Sequence, residues 1–151
     1  MADQYSSHSV MPRGLEIPGA VRSWVRTLTA DERLRYDHVP ETDRDRAILI
    51  RIPPVIGPYR GLTIGRFVML AERVTPEKPS SLLAHELVHV QQFRQQGLPR
   101  FTWQYNRAFT AGLVRLRSWN GAYRAIPAEV EARRLTGAWA RQLHRRLEND
   151  A

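Results

Sequence analysis

Cysteine is absent from this 151-residue chain. With it go disulfide staples and thiolate metal ligands, so any bound metal must be held by histidine, aspartate or glutamate. Lysine is nearly absent too, since Lys78 is the one lysine among 23 basic residues. No stretch approaches the roughly 18 consecutive apolar residues that would span a bilayer. The opening MADQYSSHSVMPRG lacks a basic start followed by an apolar core, so no secretory signal is read there. The expected compartment is the cytoplasm, and export by a specialised secretion system would also suit such a chain. Internal repeats and low-complexity tracts are lacking as well.

What is present fits one ordinary domain: 42% hydrophobic and 25% charged residues, in a chain long enough to bury a core unaided. The net charge of +8 and the pI near 10.9 come from arginine. The arginines are scattered from Arg13 to Arg146, and the pairs Arg133/Arg134 and Arg145/Arg146 fall short of the five or six consecutive charges of a basic arm. Charge spread over solvated faces is therefore preferred to nucleic-acid binding, although a basic domain of this kind could bind nucleic acid. The sequence leaves the oligomeric state open.

Residues 1–14 are polar and aperiodic and read as a flexible tail ahead of a single domain over residues 15–151. Val21, Trp24, Val25 and Leu28 stand at helical spacing, and Thr29 to Glu32 form a capping box that opens a second short helix towards Tyr36. The β-branched run at residues 47–52, ended by Pro53 and Pro54, predicts a strand; residues 61–70 predict another, able to pair with it. Ser80 and Ser81 start a helix that Gly97 and Pro99 stop, with Leu83, Leu87 and Val90 in a row along it. A further helix is expected over residues 100–119, with Phe101, Tyr105, Ala108, Gly112 and Leu116 on one side. The stretch at 121–127 interrupts it, and Pro127 begins a last helix to about Glu148, with Leu135, Trp139, Leu143 and Leu147 inward. The fold class is α+β.

Chemistry concentrates in LLAHELVHVQQF, residues 82–93. On a helix His85 and His89 lie one above the other, about one turn apart, and can chelate one ion. Glu86, rotated by about 100° from His85, can reach a water on that ion without ligating it, and so serve as general base. The pattern is H-E-x-x-H, the zinc-protease motif. Two histidines and a glutamate on a core helix would otherwise cost several kcal/mol of desolvation, about the penalty for unpaired buried polar groups. A third ligand must come from elsewhere. Glu129 and Glu131, in the first turns of the last helix, are equal candidates by chemistry, whereas His144 among arginines reads as a surface residue and Asp37 and His38 are weaker choices.

The segments 61–97 and 122–134, about a third of the chain, resemble the minimal gluzincin type of zincin-like metallopeptidases. LLAHELVHVQQ is similar to the motif of the metallopeptidase-like core domains associated with bacterial contractile injection systems and polymorphic toxins. The run P-x-E-x-E-A is similar to the distal glutamate motif, in which the first glutamate ligates zinc and an alanine follows three positions later. Glu129 with Ala132 fits that register. The resemblance thus implies Zn²⁺ held by His85, His89 and Glu129, Glu86 as the base, and a peptide or protein substrate. It further implies a zincin-like fold, a small sheet whose edge strand, expected at residues 61–70, borders the cleft beside the motif helix. Tyr123 is the first choice for an extra transition-state donor and Tyr105 the second. Arg133 stands where several gluzincin groups have aspartate or asparagine as a partner for a metal-bound histidine, so that role falls to another acceptor, a backbone carbonyl or Glu131. The alternative to a peptidase is a catalytically silent zincin-like binding module of a secretion or toxin system.

Overall fold

The computed structural model describes residues 24–53 and 60–149. Strand β1 (Val25–Thr27), helices α1 (Ala30–Arg35) and α2 (Glu41–Arg46), and strand β2 (Ile48–Arg51) come first, then strands β3 (Gly61–Ile64) and β4 (Phe67–Leu70). Helices α3 (Ser81–Gln96), α4 (Leu98–Leu116), α5 (Trp119–Arg124) and α6 (Pro127–Asn149) follow. The architecture is α+β, with a four-stranded sheet in the order β1-β2-β4-β3. β2 and β4 run parallel, with Leu49 opposite Val68, and the two outer pairings are antiparallel. Leu49, Val68, Leu70 and Thr63 are buried while Leu62, Ile64 and Phe67 are exposed. Alternation of this kind fixes the register, because a slip of one residue would turn the apolar set to water. β3 ends the sheet, and its outer edge has no strand partner among the described residues.

Helix α3 is the centre of the molecule. Its N-cap is Ser80, whose Oγ accepts from the Leu83 N–H at 3.1 Å, and from Leu83 to Phe93 only His85 and Gln91 escape full burial. Leu83, Leu87, Val88 and Val90 bury against the sheet on one side and α6 on the other. Each such side chain contributes roughly 1.5–3 kcal/mol. Trp139 of α6 stacks on Tyr36 at 5.2 Å, and its indole N–H donates to the Arg35 carbonyl at 2.8 Å, which ties α6 to the end of α1. Gly112 lets α5 fold back on α4, since a Cβ there would lie 3.1 Å from the Ala122 Cα.

Several elements differ from expectation. The run at 61–70 is a hairpin instead of one strand: Gly65, at φ 62°, and Arg66 make the turn, and the buried positions change phase across it, from Thr63 to Val68 and Leu70. Within the helix expected at 18–28, Val25–Thr27 is strand, because β2 offers these residues a backbone partner that their helical spacing cannot reveal. The charged run Glu41–Arg46 is helical despite having no apolar row, anchored by buried Asp43. The break expected at 121–127 is largely the helix α5, capped by Ser118. Leu116 and Leu147 are exposed, since their apolar rows outrun the core. The tail at 1–14, the first part of the helix expected at 18–28 and most of the loop between β2 and β3 lie outside the described residues. No helix among the described residues is long and apolar enough to cross a membrane.

Candidate metal centre

Helix α3 presents His85 and His89 one turn apart, and the first turn of α6, opened by Pro127, sets Glu129 against them. His85 Nε2 lies 3.1 Å from Glu129 Oε2, His89 Nε2 lies 3.3 Å from Glu129 Oε1, and the two Nε2 atoms are 3.2 Å apart. A tetrahedral ion with bonds of about 2.0–2.1 Å requires donor separations of about 3.3–3.4 Å. Two imidazole nitrogens and a carboxylate therefore meet near the spacing one zinc-sized ion needs, and all candidate ligand atoms lie within 4.8 Å of one another. His85, His89 and Glu129 form a group able to hold a metal ion. Among the described residues His38, Asp37 and His144 take no part. His38 Nε2 meets the Ala84 carbonyl, Asp37 pairs with Arg146, and His144 pairs with exposed Glu148. Glu131 stands off the group as well.

The acceptor for the buried histidine is one the sequence reasoning missed. His89 Nδ1 lies 2.8 Å from Gln92 Oε1, and the Gln92 amide nitrogen donates to Glu131 Oε2 at 2.8 Å and to the Ala128 carbonyl at 3.1 Å. Both of those partners can only accept, so the amide orientation is fixed and its oxygen faces the imidazole. Nδ1 then carries the proton, and the Nε2 lone pair points at the metal position. Glu131 thus acts one step removed, through Gln92. A glutamine three residues after the second histidine was the available signal, because i and i+3 share a helix face. Tyr105 Oη donates to Glu129 Oε1 at 2.9 Å, and Arg133 Nη1 stands 3.9 Å from Oε2.

Glu86 points the other way along α3, towards β3. The Thr63 hydroxyl lies 2.7 Å from its Oε2 and 3.2 Å from its backbone carbonyl. Gly61 leaves room for the carboxylate, since a Cβ at that position would sit 2.5 Å from Glu86 Oε1 and push it aside. Burial pushes the Glu86 carboxyl above its ordinary value, and His89, Thr63 and His85 offset this only partly. Burial opposes the charge on Glu129 too, but in the metal-free protein hydrogen bonds from the Nε2 side of both histidines hold that carboxyl well below the usual range, and a bound metal ion would take the place of those protons. For His89 burial disfavours the cation, yet Glu129 and Glu86 outweigh it and raise the imidazole. A positive charge is what this carboxylate-lined spot favours, and a metal cation would supply it.

The group opens into a cleft of about 500 Å³ walled by β3, α3, α4 and α5, which both Tyr105 and Tyr123 line. A family model, the eCIS core domain, matches residues 58–97, the segment that carries the β3–β4 hairpin and all of α3. The match links this segment to contractile injection systems. Searches of curated proteins and of solved structures find no match to the chain.

Proposed function

We propose that the protein is a zinc-dependent peptidase of zincin-like type. The observation that supports it is the convergence of His85, His89 and Glu129 with a separate buried carboxylate, Glu86, one residue along α3 and facing the same cleft. Zinc in that group would polarise a peptide carbonyl and acidify a water. Glu86 takes the proton of the attacking water and passes it to the leaving amine nitrogen. Burial, which raises its pKa, suits a base that must also give the proton back. Thr63 and Gly61 hold that carboxylate in place, Gln92 fixes the tautomer of His89, and Tyr105 steadies Glu129. Tyr123, on the cleft wall, donates to the oxygen on which charge develops. Incubation of the zinc-loaded chain with a broad peptide library tests the proposal. Chelator-sensitive cleavage at defined bonds is expected, and a library left intact by metal-loaded protein would sink it.

The match to the eCIS core domain favours a second reading, a component of a contractile injection system in which the metal group braces α3 against α6 without turnover. Under that reading chelation lowers the melting temperature and no peptide is cut.

A further inference from the structure

Next to the metal group the chain builds an aromatic wall. Phe93 and Phe101 are in ring contact at 4.1 Å, Phe101 meets His89 at 6.3 Å, and Phe109 meets Trp119 edge-on at 4.7 Å. Phe93 and Phe101 are buried, whereas Trp119 at 58% exposure, with Leu62 and Ile64 on β3, forms an open apolar rim. Contiguous exposed apolar surface of this kind marks binding sites more often than chance placement. Charge singles the cleft out further. The chain carries a net charge of +8, yet no arginine or lysine is found among the described residues that line the cleft, and its carboxylates are Glu86 and Glu129 alone. An anionic ligand side chain pressed among these rings would lose its water and meet only carboxylates, and in the zinc-loaded Glu86→Gln protein a cationic one would find Glu129 already taken by the metal. The volume of about 500 Å³ falls in the range of small-ligand pockets.

We infer that this cleft selects peptide segments with a bulky apolar side chain beside the bond presented to the metal group. The inference rests on the peptidase reading and names its substrate class. A peptide is the fitting occupant because β3, whose outer edge has no strand partner among the described residues, borders both the cleft and Glu86. An extended chain can add to that edge by main-chain hydrogen bonds, which leaves selectivity to alternate side chains. The Phe109–Trp119 pair supplies the outer wall of the subsite and Phe101 the inner one.

The test uses internally quenched peptides that differ at one residue beside the central bond: Phe, Leu, Asp or Lys. Binding to zinc-loaded Glu86→Gln is measured by anisotropy, and cleavage is measured with the unaltered chain. Phe and Leu peptides should bind at least about tenfold tighter than Asp and Lys peptides, as expected for filling an apolar pocket. Trp119→Arg, at an exposed position, should narrow that ratio to below about threefold and keep its zinc. Equal binding across the series, or no binding to any peptide, overturns the inference even if some peptide is cut. Selective binding without chelator-sensitive cleavage upholds the cleft and removes the hydrolase.

Discussion

Four carboxylates are buried among the described residues, and they fall into two pairs that are neutralised in different ways. Glu32 and Asp43 belong to the scaffold. Arg26 grips Glu32 with two N–H groups at 2.6 and 2.8 Å, and Arg94 grips Asp43 at 2.6 and 3.1 Å. Glu32 also accepts from the Thr29 N–H in the capping box. Glu86 and Glu129 belong to the cleft, where their partners are imidazoles and the hydroxyls of Thr63 and Tyr105, and the nearest arginine contact is Arg133 at 3.9 Å. A bidentate guanidinium fills a carboxylate's lone pairs and satisfies its charge, which leaves it inert. Imidazoles and hydroxyls leave charge unsatisfied, and the group can still take up a cation or a proton. Burial alone does not mark a functional acid in this protein; the partner does.

The sharpest way to break this contrast is to remove one charge from each pair. Glu86→Gln should cut hydrolysis by about 10²–10⁴-fold, the usual worth of a general base, and keep its metal. A rate equal to the parent on a confirmed substrate would assign the base elsewhere. Asp43→Asn should leave metal content unchanged and cost about 1.5–3 kcal/mol of stability, because the fork from Arg94 loses its charged acceptor. Thermal unfolding would show it as a fall of roughly 3–12 °C. Gln92→Leu lies between the two regions. It leaves the three ligands in place but frees the His89 tautomer, so metal affinity should drop about 10–100-fold, read by competition with a chelator of known affinity.

The smallest effect is one of sign. Burial raises Glu32, but the hydrogen bonds from Arg26 and Thr29 win and its pKa is lowered, so its contribution is present above the ordinary value of 4.5 and is lost as pH falls below it. Glu86 is raised by burial, so folding favours its protonated form and its ionised form weighs against the metal-free fold at higher pH. Melts of metal-free protein should find Glu32→Gln less stable near neutral pH and with a flatter acid limb. Glu86→Gln should be more stable than the parent at neutral pH. Equal shifts of the same sign would erase the distinction between the pairs.

The scaffold and the centre were unequally legible in the sequence. The motif helix carried its own punctuation, Ser80 before it and Gly97 after it, and His85, Glu86 and His89 followed from spacing alone. Pro127 located the start of α6 for the same reason. Glu129 could be separated from Glu131 only by resemblance, because both lie within the first two turns and the rotation of α6 against α3 is a tertiary fact. The structure brings Glu129 to the histidines and leaves Glu131 on the far side of Gln92. Short charged α2 stayed hidden because its anchor, Asp43 to Arg94, links positions 51 residues apart. Val25–Thr27 was misread because strand pairing at a distance overrode helical spacing. Thr63 and Gly61 carry no motif, and their roles arise only where β3 passes Glu86.

Metal content per chain, measured on untagged protein purified without added metal or chelator, bears most directly on the account. About one zinc per chain is predicted, retained in Asp43→Asn and lost in Glu129→Ala, although both remove a buried carboxylate. No zinc after reconstitution, or equal loss from the two variants, would contradict the assignment of His85, His89 and Glu129 as a metal centre.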